Sequence, residues 1–247
     1  MEFSSRPHLL GLAAGVFVSG GLVLASLVVA GAWTRIAESQ VINVTGSAHR
    51  NIRSDLVIWR ASFSVDDESL LGAHEKLQTA QKAVDAFFAT HRVTGVVYEP
   101  VLIADITARK PAEDGEGVVT RRVGYRLTQH LEVRSTDVEG TPQLATESAA
   151  LLEEGVGLVS GGFDFVYTKA GEAKVEMMAE ATRDARARAE QIAGQGGRDL
   201  KELRAAHMGV MQINPLYSSA TSWEGNNDTS TLEKTITATV SATFALK

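Results

Sequence analysis

Apolar and polar residues alternate over several stretches of the second part of the chain. Such alternation is typical of strands with one buried face, because successive side chains of a strand point to opposite faces. The clearest pattern ends the chain, with the apolar set Ile236, Ala238, Val240, Ala242, Phe244 and Leu246 between threonines and serines. The same pattern predicts long strands at 57–65 and 122–134. Weaker patterns predict strands at 41–47, 96–109, 158–167 and 203–213.

Apolar residues spaced by three or four positions predict three amphipathic helices. The first covers 69–91, with Asp66 and Asp67 placed before it as capping residues. The second begins near Thr141 and ends at Gly155, and the third covers 172–193. The inward face of the third helix is predicted to consist of Val175, Met178, Ala181, Ala185, Ala189 and Ile192. Because that face is mostly alanine, the helix should pack closely on its neighbour.

The order of these elements predicts an α+β fold. We expect antiparallel or mixed sheets of long strands with amphipathic helices on one face. The order also allows two lobes that divide near residues 135–140. Two segments are predicted to be loops, 111–117 and 214–230. The second is long for a compact domain, and long loops are often functional.

The first part of the chain has a different pattern. No residue from Pro7 to Thr34 is charged, and the run 9–32 consists of apolar or small residues. At about 1.5 Å per residue this run can cross a hydrocarbon core of about 30 Å. We therefore predict a single N-terminal transmembrane helix within residues 1–40, followed by an exported domain at 41–247.

A cleaved signal peptide is the alternative interpretation of the same segment. Arg6 supplies a basic start, and Ala30-Gly31-Ala32 fits a cleavage site after Ala32. The apolar run is longer than the roughly 7 to 15 residues of a signal core, which favours a retained anchor. Within the run, Gly11, Gly15 and Ser19 recur every four residues, a spacing that lets a second helix approach closely. The frequency of glycine in membrane helices is the alternative explanation of that spacing.

Composition and charge exclude several classes of protein and of site. Hydrophobic residues make up 44% and charged residues 22% of the chain, which excludes a disordered or low-complexity protein. The formal charge is −6 with no basic run, so no nucleic-acid partner is expected. The chain has no cysteine, which excludes disulfides, thiolate metal sites and cysteine nucleophiles.

Motifs that would indicate an enzyme are missing from the sequence. The glycines at 155–162 have neither the spacing nor the preceding strand of a dinucleotide-binding loop. There is no phosphate-binding P-loop, no G-x-S-x-G and no H-E-x-x-H. The six histidines show no metal-ligand spacing, and the consecutive acids at 66–68 cannot all converge on one ion. We therefore predict no catalytic residue, no cofactor and no metal ion.

The loop at 214–230 carries three apolar residues among polar ones, namely Leu216, Tyr217 and Trp223. Exposed aromatic residues on a loop favour contact with a partner or with another subunit. The alternative is that they fold onto the sheet as a lid. The long strands also need protected edges, which assembly of several copies can provide.

Several segments of the chain together resemble the SIMPL domain. These are Val44-Thr45-Gly46-Ser47-Ala48, the pair Gly124-Tyr125, the strand end at 133–137 and the helix at 184–193 with the glycines after it. The resemblance covers about residues 41–247. The sequence departs from the family where Arg53-Ser54-Asp55 replaces the usual Pro-Asp between the first two strands.

The resemblance implies an α+β domain of the bacterial cell envelope without an accepted active site. Together with the predicted N-terminal anchor, which leaves the long remainder of the chain on the exported side, it predicts an inner-membrane anchor with the domain in the periplasm. Some relatives form ring-like or hollow homo-oligomers, and some are linked to oxidative or envelope stress.

Three functional hypotheses follow. The first is a non-enzymatic, membrane-tethered periplasmic protein that self-assembles into a homo-oligomeric scaffold or chamber. The second is a periplasmic binding module that holds a small ligand or a peptide in a groove, using the 214–230 loop. The third is a hydrolase with an unfamiliar site, which would need a pair of carboxylates or histidines that converge in space.

Overall fold

The computed structural model describes residues 7–37, 40–111 and 118–247. The predicted loop at 111–117 lies, apart from Pro111, outside the described residues. The elements in chain order are α1 Pro7–Ala37, β1 Val41–Arg53, β2 Leu56–Asp67, α2 Leu70–Thr90, β3 Val96–Tyr98, β4 Leu102–Pro111, β5 Val118–Ser135, α3 Gly140–Glu147, a 3₁₀ helix Ser148–Glu154, β6 Val159–Val166, α4 Ala170–Gln195, β7 Leu200–Met208, β8 Gln212–Pro215 and β9 Glu233–Leu246.

The strands form two antiparallel sheets, which confirms the predicted α+β class. One sheet has the order β1-β9-β7, and β8 also pairs with β9. The other has the order β3-β5-β2-β6, and β4 also pairs with β5. Two predicted strands are each divided in the structure. The pattern at 96–109 forms β3 and β4, and the pattern at 203–213 contributes to β7 and β8.

The chain folds into two compact units, each built from separate segments. The first contains the described residues up to Ala48, together with Met178–Gly209 and Thr239–Lys247. The second contains His49–Met177 and Val210–Ala238. The predicted lobe division near residues 135–140 is a different one, and it stays a prediction.

The core of the second unit lies where α2 packs on β2 and β5. Its buried side chains include Trp59, Phe63, Leu77, Val84 and Leu131, each at most 3% exposed. Full burial of one such side chain contributes about 1.5–3 kcal/mol. The N-cap of α2 is Ser69, whose hydroxyl accepts a hydrogen bond from the Gly72 N–H at 3.0 Å. The capping prediction was therefore wrong for Asp66, while Asp67 supports the cap by accepting from the Ser69 N–H at 2.9 Å.

In the first unit, α4 packs closely on β1, as its small side chains predict. Ala181, Ala185 and Ala189 are fully buried. A Cβ placed on Gly46 of β1 would lie 2.1 Å from the Ala181 carbonyl oxygen and 2.3 Å from the Ala185 nitrogen, so only glycine fits at that position.

The inward face of α4 differs in part from the predicted set. Val175 and Ile192 are 63% and 57% exposed, and Met178 is also exposed. The buried positions there belong to Ala173, Met177 and Ala193. The buried face of the helix therefore consists of alanines together with Met177.

Candidate functional site

The loop predicted at 214–230 is held by buried side-chain amides. Gln212, at the start of β8, is 7% exposed. Its Oε1 accepts hydrogen bonds from the backbone N–H of Ser222 at 3.2 Å and of Asn226 at 2.9 Å, and its Nε2 donates to the Ser222 carbonyl at 2.7 Å. Because opening the loop would leave a buried amide without partners, Gln212 fixes the middle of the loop.

Asn214 repeats this arrangement two residues further along the strand. The side chain is buried, and its Nδ2 donates to the Ala220 carbonyl at 2.7 Å. Its Oδ1 accepts from the Asn226 Nδ2 at 2.9 Å. Two buried amides on one face of β8 therefore replace the backbone pairing that the irregular loop cannot make for itself.

The far end of the loop is fixed by a buried ion pair. The Lys234 side chain is 1% exposed, and its Nζ donates to the Asp228 carbonyl and lies 3.1 Å from the Asp228 Oδ2. The same carboxylate accepts hydrogen bonds from the N–H and hydroxyl groups of Ser230 and Thr231. Burial raises the pKa of Asp228, but the hydrogen bonds from Ser230, Thr231 and Lys234 outweigh it and bring the pKa far below its ordinary value.

The loop held in this way presents two aromatic side chains to solvent. Tyr217 is 93% exposed and Trp223 is 85% exposed, whereas Leu216 is half-buried. Tyr217 has a φ of 67°, a left-handed conformation that L-residues other than glycine rarely adopt. The two rings therefore point outward and do not form a lid over the sheet. Their contact with a partner stays a prediction.

A second surface, which sequence reasoning missed, is an apolar groove of about 630 Å³. It lies between the first turns of α2 and the start of β4, and its lining consists of Leu70, Leu71, His74, Val101, Ile103 and Leu127. The signal in the sequence is the run Val101-Leu102-Ile103, in which the apolar pattern stops alternating. Such a run makes both faces of an edge strand apolar.

The groove continues into an exposed sheet edge. Leu102 and Ile103 are 58% and 54% exposed. Among the residues that the structure describes, β4 pairs with β5 only, so its outer edge has unpaired backbone groups. Unpaired edges of this kind recruit a strand from another chain unless they are protected.

A polar pocket of about 460 Å³ lies beside the end of α2. The His91 Nε2 is 3.2 Å from the Glu147 carboxylate, and the His91 Nδ1 is 2.9 Å from the Phe87 carbonyl oxygen. Both ring nitrogens therefore have partners, and no hydroxyl of the described residues is hydrogen-bonded to the ring. The hydrolase hypothesis requires a pair of carboxylates or of histidines, and this contact of one histidine with one carboxylate does not supply it.

The acidic residues that precede α2 are used in ion pairs. Asp66 accepts two hydrogen bonds from the Arg126 guanidinium, at 2.8 and 2.7 Å. The Asp67 Oδ2 lies 2.7 Å from the Lys76 Nζ, and Lys76 together with the Ser69 N–H lowers the pKa of Asp67 to about 2. Within the described ranges, no group of three or more His, Cys, Asp or Glu side chains could hold a metal ion.

The N-terminal helix α1 contains a segment that could cross a membrane. Gly11–Trp33 has a mean hydropathy of 2.3, and its residues are exposed in the structure. A Cβ added at either of the predicted packing residues Gly11 and Gly15 would meet no described atom within 4 Å, and the Ser19 hydroxyl donates to the Val16 carbonyl at 3.1 Å. The small-residue face is thus open to a second helix, and helix pairing there stays a prediction.

Comparison with known proteins identifies the family of the chain. Residues 42–244 match the family model SIMPL, described as a protein of unknown function (DUF541). No curated protein matches the chain. The matched range runs from β1 to β9, without the first residue of β1 and the last two residues of β9, and it excludes α1.

Proposed function

The chain belongs to the SIMPL family of proteins of unknown function, and from that premise we propose that it is a membrane-tethered protein that self-assembles into a homo-oligomeric scaffold or chamber in the bacterial cell envelope. In this proposal α1 anchors the chain in the inner membrane and the SIMPL domain lies in the periplasm. Anchored copies share one surface, which raises their effective concentration and favours weak contacts between them.

The exposed edge of β4 is the observation that carries this proposal. A long edge with exposed apolar side chains is a liability for a protein that works as a monomer. Pairing with another copy would satisfy its backbone groups and cover its apolar side chains. The aromatic residues of the 214–230 loop would add a second contact between subunits.

Sizing the full chain in detergent tests the proposal. The native mass, measured by size-exclusion chromatography with light scattering at micromolar concentration, is expected to be several times that of one chain. A strictly monomeric species would contradict self-assembly. The intact mass of the chain recovered from membranes also separates a retained anchor from cleavage after Ala32.

We propose further that the protein is not an enzyme. The candidate acid and histidine groups, such as Asp66, Asp67 and His91, make ion pairs or hydrogen bonds that fix local structure. A role in oxidative or envelope stress would be that of a scaffold. Survival of a deletion strain in peroxide, compared with a strain complemented by the full chain, tests that role.

A binding module for a peptide or small ligand is the second candidate function. It is favoured by the fixed 214–230 loop, which presents Tyr217 and Trp223 without an ordering penalty at binding. Selection against a displayed library of random short peptides is the test. Binding that is lost in the double variant Tyr217→Ala, Trp223→Ala would support it, whereas unchanged binding would exclude this loop as the site.

A further inference from the structure

The outer part of β4 belongs to a two-stranded arm. Strand β2 pairs with β5 only as far as Tyr125, which lies opposite Asp67. Beyond that point, among the described strands, β4 and β5 pair only with each other, up to the pair Pro111 and Val118. A two-stranded ribbon is marginally stable by itself in water, and a third strand stabilises it.

The outer edge of this arm is regular enough to accept another strand. The register changes between Ile106, which pairs with Gly124, and Thr107, which pairs with Arg122. The extra residue of this bulge is Val123, and it lies on β5. Strand β4 therefore alternates without interruption, and Ile103, Asp105, Thr107 and Arg109 lie on one of its faces.

We propose that β4 pairs with the β4 of a second copy, antiparallel and about a two-fold axis at Thr107. This inference rests on the proposed self-assembly and names the contact that carries it. The two β5-β4 ribbons would then form one continuous four-stranded sheet across the two copies. The contact is isologous, since each copy supplies the same strand.

Symmetry limits the possible registers. A two-fold axis perpendicular to the sheet keeps every side chain on its own face, so the axis must pass through a residue that faces itself. An axis at Asp105 would place two carboxylates opposite each other, which is unfavourable. An axis at Ile106 would place Asp105 opposite Thr107 and leave the charges unpaired.

An axis at Thr107 pairs opposite charges twice. It places Asp105 of each copy opposite Arg109 of the other. The Asp105 side chain is 54% exposed, and Arg109 is exposed with no hydrogen bond or ion pair to another described residue. On the other face the same register places the half-buried Ile106 opposite the half-buried Ala108. The charges therefore favour this register over axes at Asp105 and Ile106, and the apolar pair on the other face is compatible with it.

A single engineered cysteine tests the register, because the chain has no cysteine of its own. Residues that face each other across an antiparallel pair lie within the distance that a disulfide spans. Thr107→Cys in the full membrane-bound chain is therefore expected to give a disulfide-linked dimer after mild oxidation. The matched control is Thr120→Cys, an exposed position on β5 of the same arm, which is expected to stay monomeric under the same treatment.

Charge exchange tests the predicted pairs. Added to the Thr107→Cys chain, Arg109→Asp is expected to slow disulfide-linked dimerisation by about tenfold, because two like-charged pairs replace two opposite-charged pairs. Asp105→Arg should have a similar effect, although it also removes the contact of Asp105 with Arg122 at 3.8 Å. Combining Asp105→Arg with Arg109→Asp is expected to restore dimerisation. Circular dichroism and the melting temperature show whether each variant is folded.

The outcomes separate this inference from the proposed function. If the wild-type chain is oligomeric but the Thr107→Cys variant fails to cross-link, or the Thr120→Cys variant cross-links instead, the β4 pairing is wrong and self-assembly stands. If the folded charge variants dimerise as well as the chain with the native charges, the register is wrong. A wild-type chain that is monomeric in membranes and in detergent overturns both.

Discussion

Lys234 and Arg92 occupy positions that residues of their type normally avoid. Lys234 is fully buried and owes that position to Asp228, whose carboxylate and carbonyl both accept from its Nζ. Arg92 has a φ of 56° where α2 ends, and its N–H donates to the Ala89 carbonyl at 3.1 Å. Glycine is the usual residue at such a helix end. At each position a substitution is expected to change the free energy of unfolding in a predictable direction.

Removing the partner of the buried lysine is expected to be strongly destabilising. Asp228→Asn would leave the Lys234 charge buried without a counter-ion, and the expected loss is about 3–5 kcal/mol in the free energy of unfolding. Lys234→Met is the control, because it leaves Asp228 with its donors from Ser230 and Thr231; its expected loss is below about 2 kcal/mol. Urea unfolding of both variants measures the difference. Equal losses would contradict a role for the buried charge.

Relieving the left-handed conformation at the end of α2 is expected to stabilise the protein. Arg92→Gly should raise the free energy of unfolding by about 1 kcal/mol, because a left-handed residue with a Cβ costs about 1–2 kcal/mol and glycine does not bear that cost. Arg92→Ala removes the guanidinium but keeps the Cβ, so it should leave stability within about 0.5 kcal/mol. Thermal and urea unfolding distinguish the two variants. If Arg92→Gly were no more stable than Arg92→Ala, strain would not be the reason.

At the scale of elements, the sequence predicts the existence of strands better than the residues at which they begin and end. Period-two alternation identified β2, β5 and β9, because one face of each lies on a core. It did not predict the interruption between β3 and β4, which both pair with β5; Pro100, which has no N–H for a strand ladder, lies between them. The predicted inward face of α4 was partly wrong, because Val175 and Ile192 are exposed although they are more hydrophobic than the buried alanines. The approach of β1 at Gly46 selects alanine instead, and that approach is a long-range contact.

The contact of β1 with α4 gives a prediction at this scale. Gly46→Ala is expected to destabilise the fold by about 2–3 kcal/mol, because the added methyl would meet backbone atoms of Ala181 and Ala185 that cannot move separately. Gly194→Ala is a matched control on α4, where an added Cβ has no neighbour within 4 Å. That substitution should be neutral or stabilise the helix by up to about 1 kcal/mol. Hydrogen exchange of the α4 amides locates the effect.

At the scale of the whole molecule, α1 is predicted to contact the membrane, whereas the edge of β4 and the 214–230 loop are proposed to contact other protein molecules. Family membership and the α+β class could be predicted from sequence, because they depend on local patterns. The exposure of Tyr217 and Trp223 could be given only as one of two alternatives, since the amides that hold their loop lie on β8. The apolar groove was not predicted, because α2 and β4 are distant in the chain.

The protein is expected to lose stability on acidification. Arg126 lowers the pKa of Asp66, Lys76 lowers that of Asp67 to about 2, and the pKa of Asp228 is also lowered. These carboxylates stay ionised in the folded state at a pH where carboxylates of the unfolded chain, with a pKa of about 3.9, bind protons. The free energy of unfolding should therefore be constant from pH 7 to about pH 5 and decrease as the pH falls toward about 2.

Unfolding in urea at a series of pH values measures this dependence. Lys76→Gln removes the main cause of the low pKa of Asp67, so the variant should lose less stability between about pH 5 and pH 2 than the wild type does. A wild-type stability that increases on acidification would contradict the assignment.

The burial of Lys234 also makes it a chemical reporter. An amine-acylating reagent reacts with lysines that water can reach, and in the folded chain the Lys234 side chain is 1% exposed. Lys76, whose side chain is 56% exposed, should be acylated at once. Acylation of Lys234, measured by mass spectrometry of its peptide, would therefore report the fraction of molecules in which the 214–230 loop has opened. A partner that binds this loop and keeps it closed would slow the acylation.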